Sequence, residues 1–326
     1  MTSTSNLCAR TLPGISLAAL AVAILGAVGA LALSPSPAAA SDLWESIAGA
    51  PDSDSDGDSD EPSALSPAER VERLYQLHLT RGDRYAIQAM EIKIALLQGR
   101  QSRKRVAYFD LIDKAVSHYE QAARARPDAA APHYRAAAVL HRHLIGDSID
   151  SAVLKDRTAA ERILAHWAAF ERVAPLDPRL SNVLDRRAIL YTRLATPDDI
   201  ERAIIDYEKL LSRHALSALS AGEVARWLGN LAEVYMMAGH LDEAIATYRR
   251  ASSYSNEPLY SYGLAVALDR DGQGEMARQV MGGAIYGDNL RSLTAEHIFF
   301  VPEGEISYYL ALGFEVMGKL KQAEYH

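Results

Sequence analysis

Histidine is the residue type in this 326-residue chain best suited to hold a metal or pass a proton at neutral pH, and there are ten of them. Five, His118, His133, His141, His143 and His166, fall in one stretch, so a zinc site between neighbouring helices is a fair question. His141 and His143 are two residues apart, which on a helix turns them to nearly opposite sides. They cannot share an ion, and the set reads as packing or surface histidines. No Gly-rich phosphate loop, H-E-x-x-H, G-x-S-x-G or paired-cysteine motif occurs, so no catalytic residue and no cofactor are expected. The single cysteine, Cys8, stands before an apolar run and not just after one, which is the wrong place for lipid attachment.

A second ligand-like pattern is Asp52, Asp54, Asp56, Gly57 and Asp60, D-x-D-x-D-G-x-x-D. That spacing resembles calcium loops of the dockerin and thrombospondin type, which wrap oxygens round one ion. An EF-hand would need a bidentate Glu where Ser63 stands, and no helix-forming segment precedes the run. Asp-Ser repetition writes the same pattern, so the aspartates read as a solvated charge run and only a weak calcium candidate. The formal net charge is −8 and the pI about 5.7, which argues against a general nucleic-acid binder. Arg103, Lys104 and Arg105 form a short basic loop, solvated in the plain reading and touching anionic lipid in the functional one.

Three regions follow. Residues 1–40 read as an export signal: Arg10 is the only charge, Ile15 to Leu33 is apolar, and Ala38 and Ala40 mark a cleavage site before Ser41. The run is long enough to span a bilayer, so an uncleaved anchor is the alternative, and the only membrane contact expected. Residues 41–65 form an acidic linker too poor in large apolar groups to repay its ordering entropy. Residues 66–326 are helical with short breaks. Ser66, Pro67 and Glu69 write a capped helix start, a second helix covers roughly Arg84 to Leu97, and Thr196 to Asp199 write another cap.

The stretch Ala225 to Ala251 carries two helical periods joined at Gly239, with Leu228, Leu231, Ala232 and Tyr235 before it and Ala244, Tyr248 and Ala251 after. Gly272 follows Gly239 by 33 residues, with Leu264, Ala265, Ala277 and Ala284 in matching places. Weaker copies begin at Ala130, at Ser181 and near Gly304, and Ala115, Tyr119, Ala122 and Pro127 write the second half of a first unit. This spacing resembles the tetratricopeptide repeat, with Leu228 for the usual Trp and Ala232 for the usual Gly. The resemblance implies an all-α solenoid of about six helical hairpins that binds another protein. The last hairpin is cut short after Ala323, which suggests a truncated chain with Leu310 and Phe314 partly uncovered. Phe299 and Phe300, in the long connection before it, are expected to bury.

In the family the first helices of successive hairpins line a groove. Carried onto this chain, the groove residues are Tyr134, Arg135, His141, Arg142, Arg186 and Arg193 at a basic end. Met236 and Met237 lead into an aromatic end made by Tyr262, Val266, Tyr308, Tyr309 and Leu312. The resemblance implies a non-catalytic interaction scaffold, taking a protein segment acidic toward one end and apolar toward the other, and the export signal points to the periplasm or cell envelope. An accessory subunit of an envelope enzyme or secretion assembly, and a calcium-dependent surface protein, are the alternatives.

Overall fold

Helix starts and stops in this chain are set by side chains that satisfy the backbone groups a helix end leaves bare. Ser66 and Ser220 each close a reciprocal capping box with the Glu three residues on, and Thr196 accepts from the Asp199 amide at 3.2 Å. Gly239, Gly272 and Gly318 lie at φ 78°, 78° and 70°, and each ends a helix with the same paired bonds. At the first, His240 N–H donates to the Tyr235 carbonyl at 2.9 Å and Gly239 N–H to Met236 at 3.1 Å. Ser220→Ala is expected to lower stability by about 1 kcal/mol, read from the urea midpoint, because the Glu223 amide loses its acceptor.

The computed structural model describes residues 66–98, 105–145, 157–214, 219–285 and 303–326. The expected signal, the linker with Asp52 to Asp60, Arg103, Lys104, the loop between Ile145 and Arg157, and Phe299 and Phe300 lie outside the described residues. Within them the elements are α1 Pro67–Leu97, α2 Arg105–Ala125, α3 Ala130–Leu140, a π-helical turn His141–Ile145, and α4 Arg157–Val173. There follow α5 Leu180–Leu194, α6 Pro197–Ser212, α7 Ala221–Ala238, α8 Leu241–Tyr254, α9 Pro258–Arg270, α10 Gly274–Ala284, α11 Glu303–Val316 and α12 Leu320–Ala323. No strand occurs among the described residues. Each odd-numbered helix packs on the even one after it, and each hairpin packs on the next, so the described residues form an all-α solenoid of six hairpins.

The first hairpin corrects the expected break near Arg84. Gly82 does not stop α1; it lets Tyr119 of α2 lie against the helix, since a Cβ at 82 would stand 2.6 Å from Tyr119 Cε1. Tyr119 Oη then donates to Asp83 Oδ1 at 2.8 Å, and Arg135 of α3 pairs with the other oxygen. Burial pushes the Asp83 carboxyl up, against the pull of Arg135 and Tyr119. One small residue and one acid thus join α1, α2 and α3.

The core divides along α7, which gives Trp227, Leu231 and Val234 to one cluster and Val224, Leu228, Ala232 and Met236 to the other. Hairpins one to three and one face of α7 share an apolar cluster that includes Tyr119, Trp167, Phe170 and Leu184. Hairpins four to six share another around Leu228, Tyr248, Tyr262 and Tyr309, with Leu211, Leu219 and Tyr235 touching both. Leu310 and Phe314, expected to be partly uncovered, are buried in this second cluster, and the Phe314 ring stacks on His326 at 5.7 Å.

Candidate protein-binding cleft

The basic residues expected on the second and third hairpins do meet. Tyr134 and Ala138 of α3, His141 and Arg142 of the π turn, Trp167 of α4, and Asn182 and Arg186 of α5 line one small open cleft. The π turn matters because it follows the end of α3 without a break, carrying His141 onto the Trp167 ring at 5.4 Å and sending His143 to the Tyr108 hydroxyl at 2.7 Å. The two imidazoles therefore part, as their two-residue spacing requires. Among the described residues no group of three or more ligand side chains is placed to hold a metal ion.

The cleft is rich in donors. Arg186 Nη1 lies 3.3 Å from His141 Nδ1; a guanidinium can only donate, so Nδ1 is the acceptor and the ring proton sits on Nε2. Burial holds the His141 pKa well below its ordinary value, and Arg186, Arg193, Arg142 and Lys93 add to it in that order. The imidazole is thus neutral at pH 7. Lys93 of α1 also donates to the Arg142 carbonyl at 2.7 Å, which fixes the π turn from outside. Arg142 and Arg186 both line the cleft, and Asn182 adds an amide that can donate or accept. An anionic group is the ligand chemistry that such a lining favours.

Other expected groove residues have different work. Arg135 is spent on Asp83, and Tyr134 is mostly buried, its ring 5.3 Å from Phe170 with the Arg179 guanidinium 4.8 Å above it. Arg193 acts on His141 through its charge. The aromatic end is corrected outright: Met236, Tyr262, Val266, Tyr309 and Leu312 are core residues of the second cluster. Met237 is half-buried against the first cluster. Tyr308 alone keeps an open edge, and it is held by Asp269 at 2.7 Å and covered by Arg270. The reason is visible in α9, which is apolar on every side from Leu259 to Leu268 and so is enclosed by its neighbours. Its tyrosine had no outer face to offer.

Trp167 and Asn182 were not anticipated. Trp167 comes from a second helix, outside the first-helix rule that the repeat resemblance implies. Asn182 stands beside the expected helix start at Ser181 and had no distinguishing signal. No family model matches this chain, and no curated protein matches it. Among solved structures it is similar to MamA 41-end from Desulfovibrio magneticus RS-1, at 14% identity and a TM-score of 0.39, covering 61% of this chain and 93% of that one. A likeness of that degree leaves the fold to rest on the packing of the hairpins themselves.

Proposed function

We propose that the protein is a non-catalytic interaction scaffold that takes an acidic segment of another protein in the cleft between its second and third hairpins. The observation that carries this reading is the cleft lining, in which Arg142 and Arg186 flank a neutral, buried His141. A carboxylate placed there meets a positively charged lining, and charge-assisted hydrogen bonds to arginine are among the stronger polar contacts. The hairpins on either side supply a rigid frame, so little ordering cost falls on the protein at binding. The buried tyrosines of the fifth and sixth hairpins pack within the second apolar cluster, away from this cleft. An export signal at residues 1–40 is consistent with work in the periplasm or envelope, and fractionation of cells carrying the full chain tests that placement.

The cleft is tested with two immobilised peptides of equal length, one of alternating Glu and Ala and one of alternating Gln and Ala. The Glu peptide is expected to bind and the Gln peptide not, with binding falling as salt rises. Arg186→Glu is expected to weaken the Glu peptide at least about tenfold while leaving the unfolding midpoint nearly unchanged, since a charge at a cleft mouth acts on recognition more than on packing. Equal binding of both peptides, or an Arg186→Glu protein that binds as the parent does, removes the cleft reading.

A further inference from the structure

The fourth to sixth hairpins enclose an ionisable group that the cleft does not use. Glu233 of α7 is fully buried. Its Oε2 accepts from Tyr248 Oη of α8 at 2.6 Å and from Tyr309 Oη of α11 at 2.8 Å, and the two hydroxyls lie 3.0 Å apart. Its Oε1 is buried with no hydrogen-bond partner. Tyr248 reaches this point because α9 presents Gly263 there: a Cβ on that residue would stand 2.3 Å from Tyr248 Cζ. Glu233 therefore touches hairpins four and six directly, across the bare backbone of hairpin five.

We propose that Glu233 is a protonation-controlled fastener: neutral, it ties the fourth, fifth and sixth hairpins together, and ionised, it lets them part. An ionised carboxylate here has one oxygen with two donors and one with none, in a place water does not reach. The charged groups that face it do not compensate. Glu305 of α11 repels it, and Arg270 of α9 is already engaged by Glu305 at 2.6 Å. Burial, the largest effect, lifts its pKa from 4.5 to about 8; Glu305 pushes the same way, and Tyr248, Tyr309 and Arg270 pull it back.

The folded chain thus holds a proton that the unfolded chain gives up above pH 4.5. Stability of these hairpins is full below that value and falls as pH rises, until it levels off at about pH 8. The first three hairpins lean the other way. His118, His133, His141, His143 and His166 are all held below the ordinary histidine value, mainly by burial, so that half tightens as pH rises toward 6.5 and then stays level. The separate apolar clusters allow the two halves to respond separately.

Backbone hydrogen exchange on the full chain, corrected for intrinsic exchange rates, reads the two halves at once. Between pH 6.0 and 8.5 the opening equilibrium of α8 to α11 is expected to rise at least about tenfold, while α2 to α5 stay level or tighten. Glu233→Gln keeps the shape and removes the titration, so its α8 to α11 should open equally at both pH values. Tyr309→Phe removes a donor that favours the ionised form, so its midpoint should move to higher pH. A parent protein with equal protection of α8 to α11 at both pH values overturns the proposal. So does a Glu233→Gln protein with the parent's pH response. If Glu233→Gln does not fold, Tyr309→Phe decides, and an unmoved midpoint counts against the fastener.

Discussion

Gly263→Ala is expected to cost the C-terminal half of the array about 2 to 6 kcal/mol, far more than the same change at a helical glycine with open space beside it. The added Cβ would stand 2.3, 2.4 and 2.6 Å from Tyr248 Cζ, Cε1 and Oη, distances at which one side must move. Tyr248 is fully buried, and its hydroxyl is bound to Glu233 and Tyr309, so the ring has nowhere to go without breaking those bonds. Overpacking of this kind costs about 1–3 kcal/mol, and leaving a buried acid short of a donor about 1–3 more. Gly222→Ala is the control: it lies in α7 with nothing within 4 Å of an added Cβ, and should be neutral or stabilise by up to about 1 kcal/mol. Urea unfolding of both variants gives the comparison, and the smaller Tyr248→Leu should return part of the loss in the double variant. A Gly263→Ala protein as stable as the parent would contradict the close approach of α8 to α9.

Arg187→Met is the second large expected effect, at about 3–5 kcal/mol. Arg187 of α5 is buried and grips Asp206 of α6 with two parallel bonds of 2.6 Å, while its Nη2 also meets Glu171 of α4 at 2.7 Å. Burial alone would lower the Arg187 pKa, but Asp206 and Glu171 outweigh it and hold the guanidinium charged. Removing it leaves Asp206 buried with no cation of that geometry, and burial already pushes that carboxyl up. Arg187→Lys should recover little, because an ammonium cannot match the two-point fork. Arg187→Met combined with Asp206→Leu should recover most of the loss, since a buried pair replaced by apolar groups of similar size costs little. Thermal or urea midpoints of the three variants decide between a paired charge that holds α5 to α6 and one that merely fits there.

Much of the fold could be read before any coordinates because it is local. The boxes at Ser66 and Ser220, the Thr196 cap and the left-handed glycines at 239, 272 and 318 act within a few residues of themselves, so their chemistry stands in the one-dimensional string. A helical period repeated after Gly239 and Gly272 leaves few architectures other than stacked hairpins. The helix start expected near Arg84 is absent because the glycine before it, Gly82, serves packing and not a turn. Its φ is not positive, and what it serves is the ring of Tyr119, thirty-seven residues away.

The sequence by itself determined most helix starts and stops, the break expected near Arg84 excepted, and that the helices pair. Only the tertiary structure decided what each face meets. An apolar stripe on a helix has the same period whether it lines a groove or packs between hairpins, so Tyr262, Val266, Tyr309 and Leu312 looked like a binding surface and are core. Buried polar residues were hidden for a related reason. Asp83, Asp206 and Glu233 are ordinary helix residues by type, and each owes its state to a partner on another helix, Arg135, Arg187 and the Tyr248–Tyr309 pair respectively. Desolvation and pairing depend on distance in space, which a sequence does not carry.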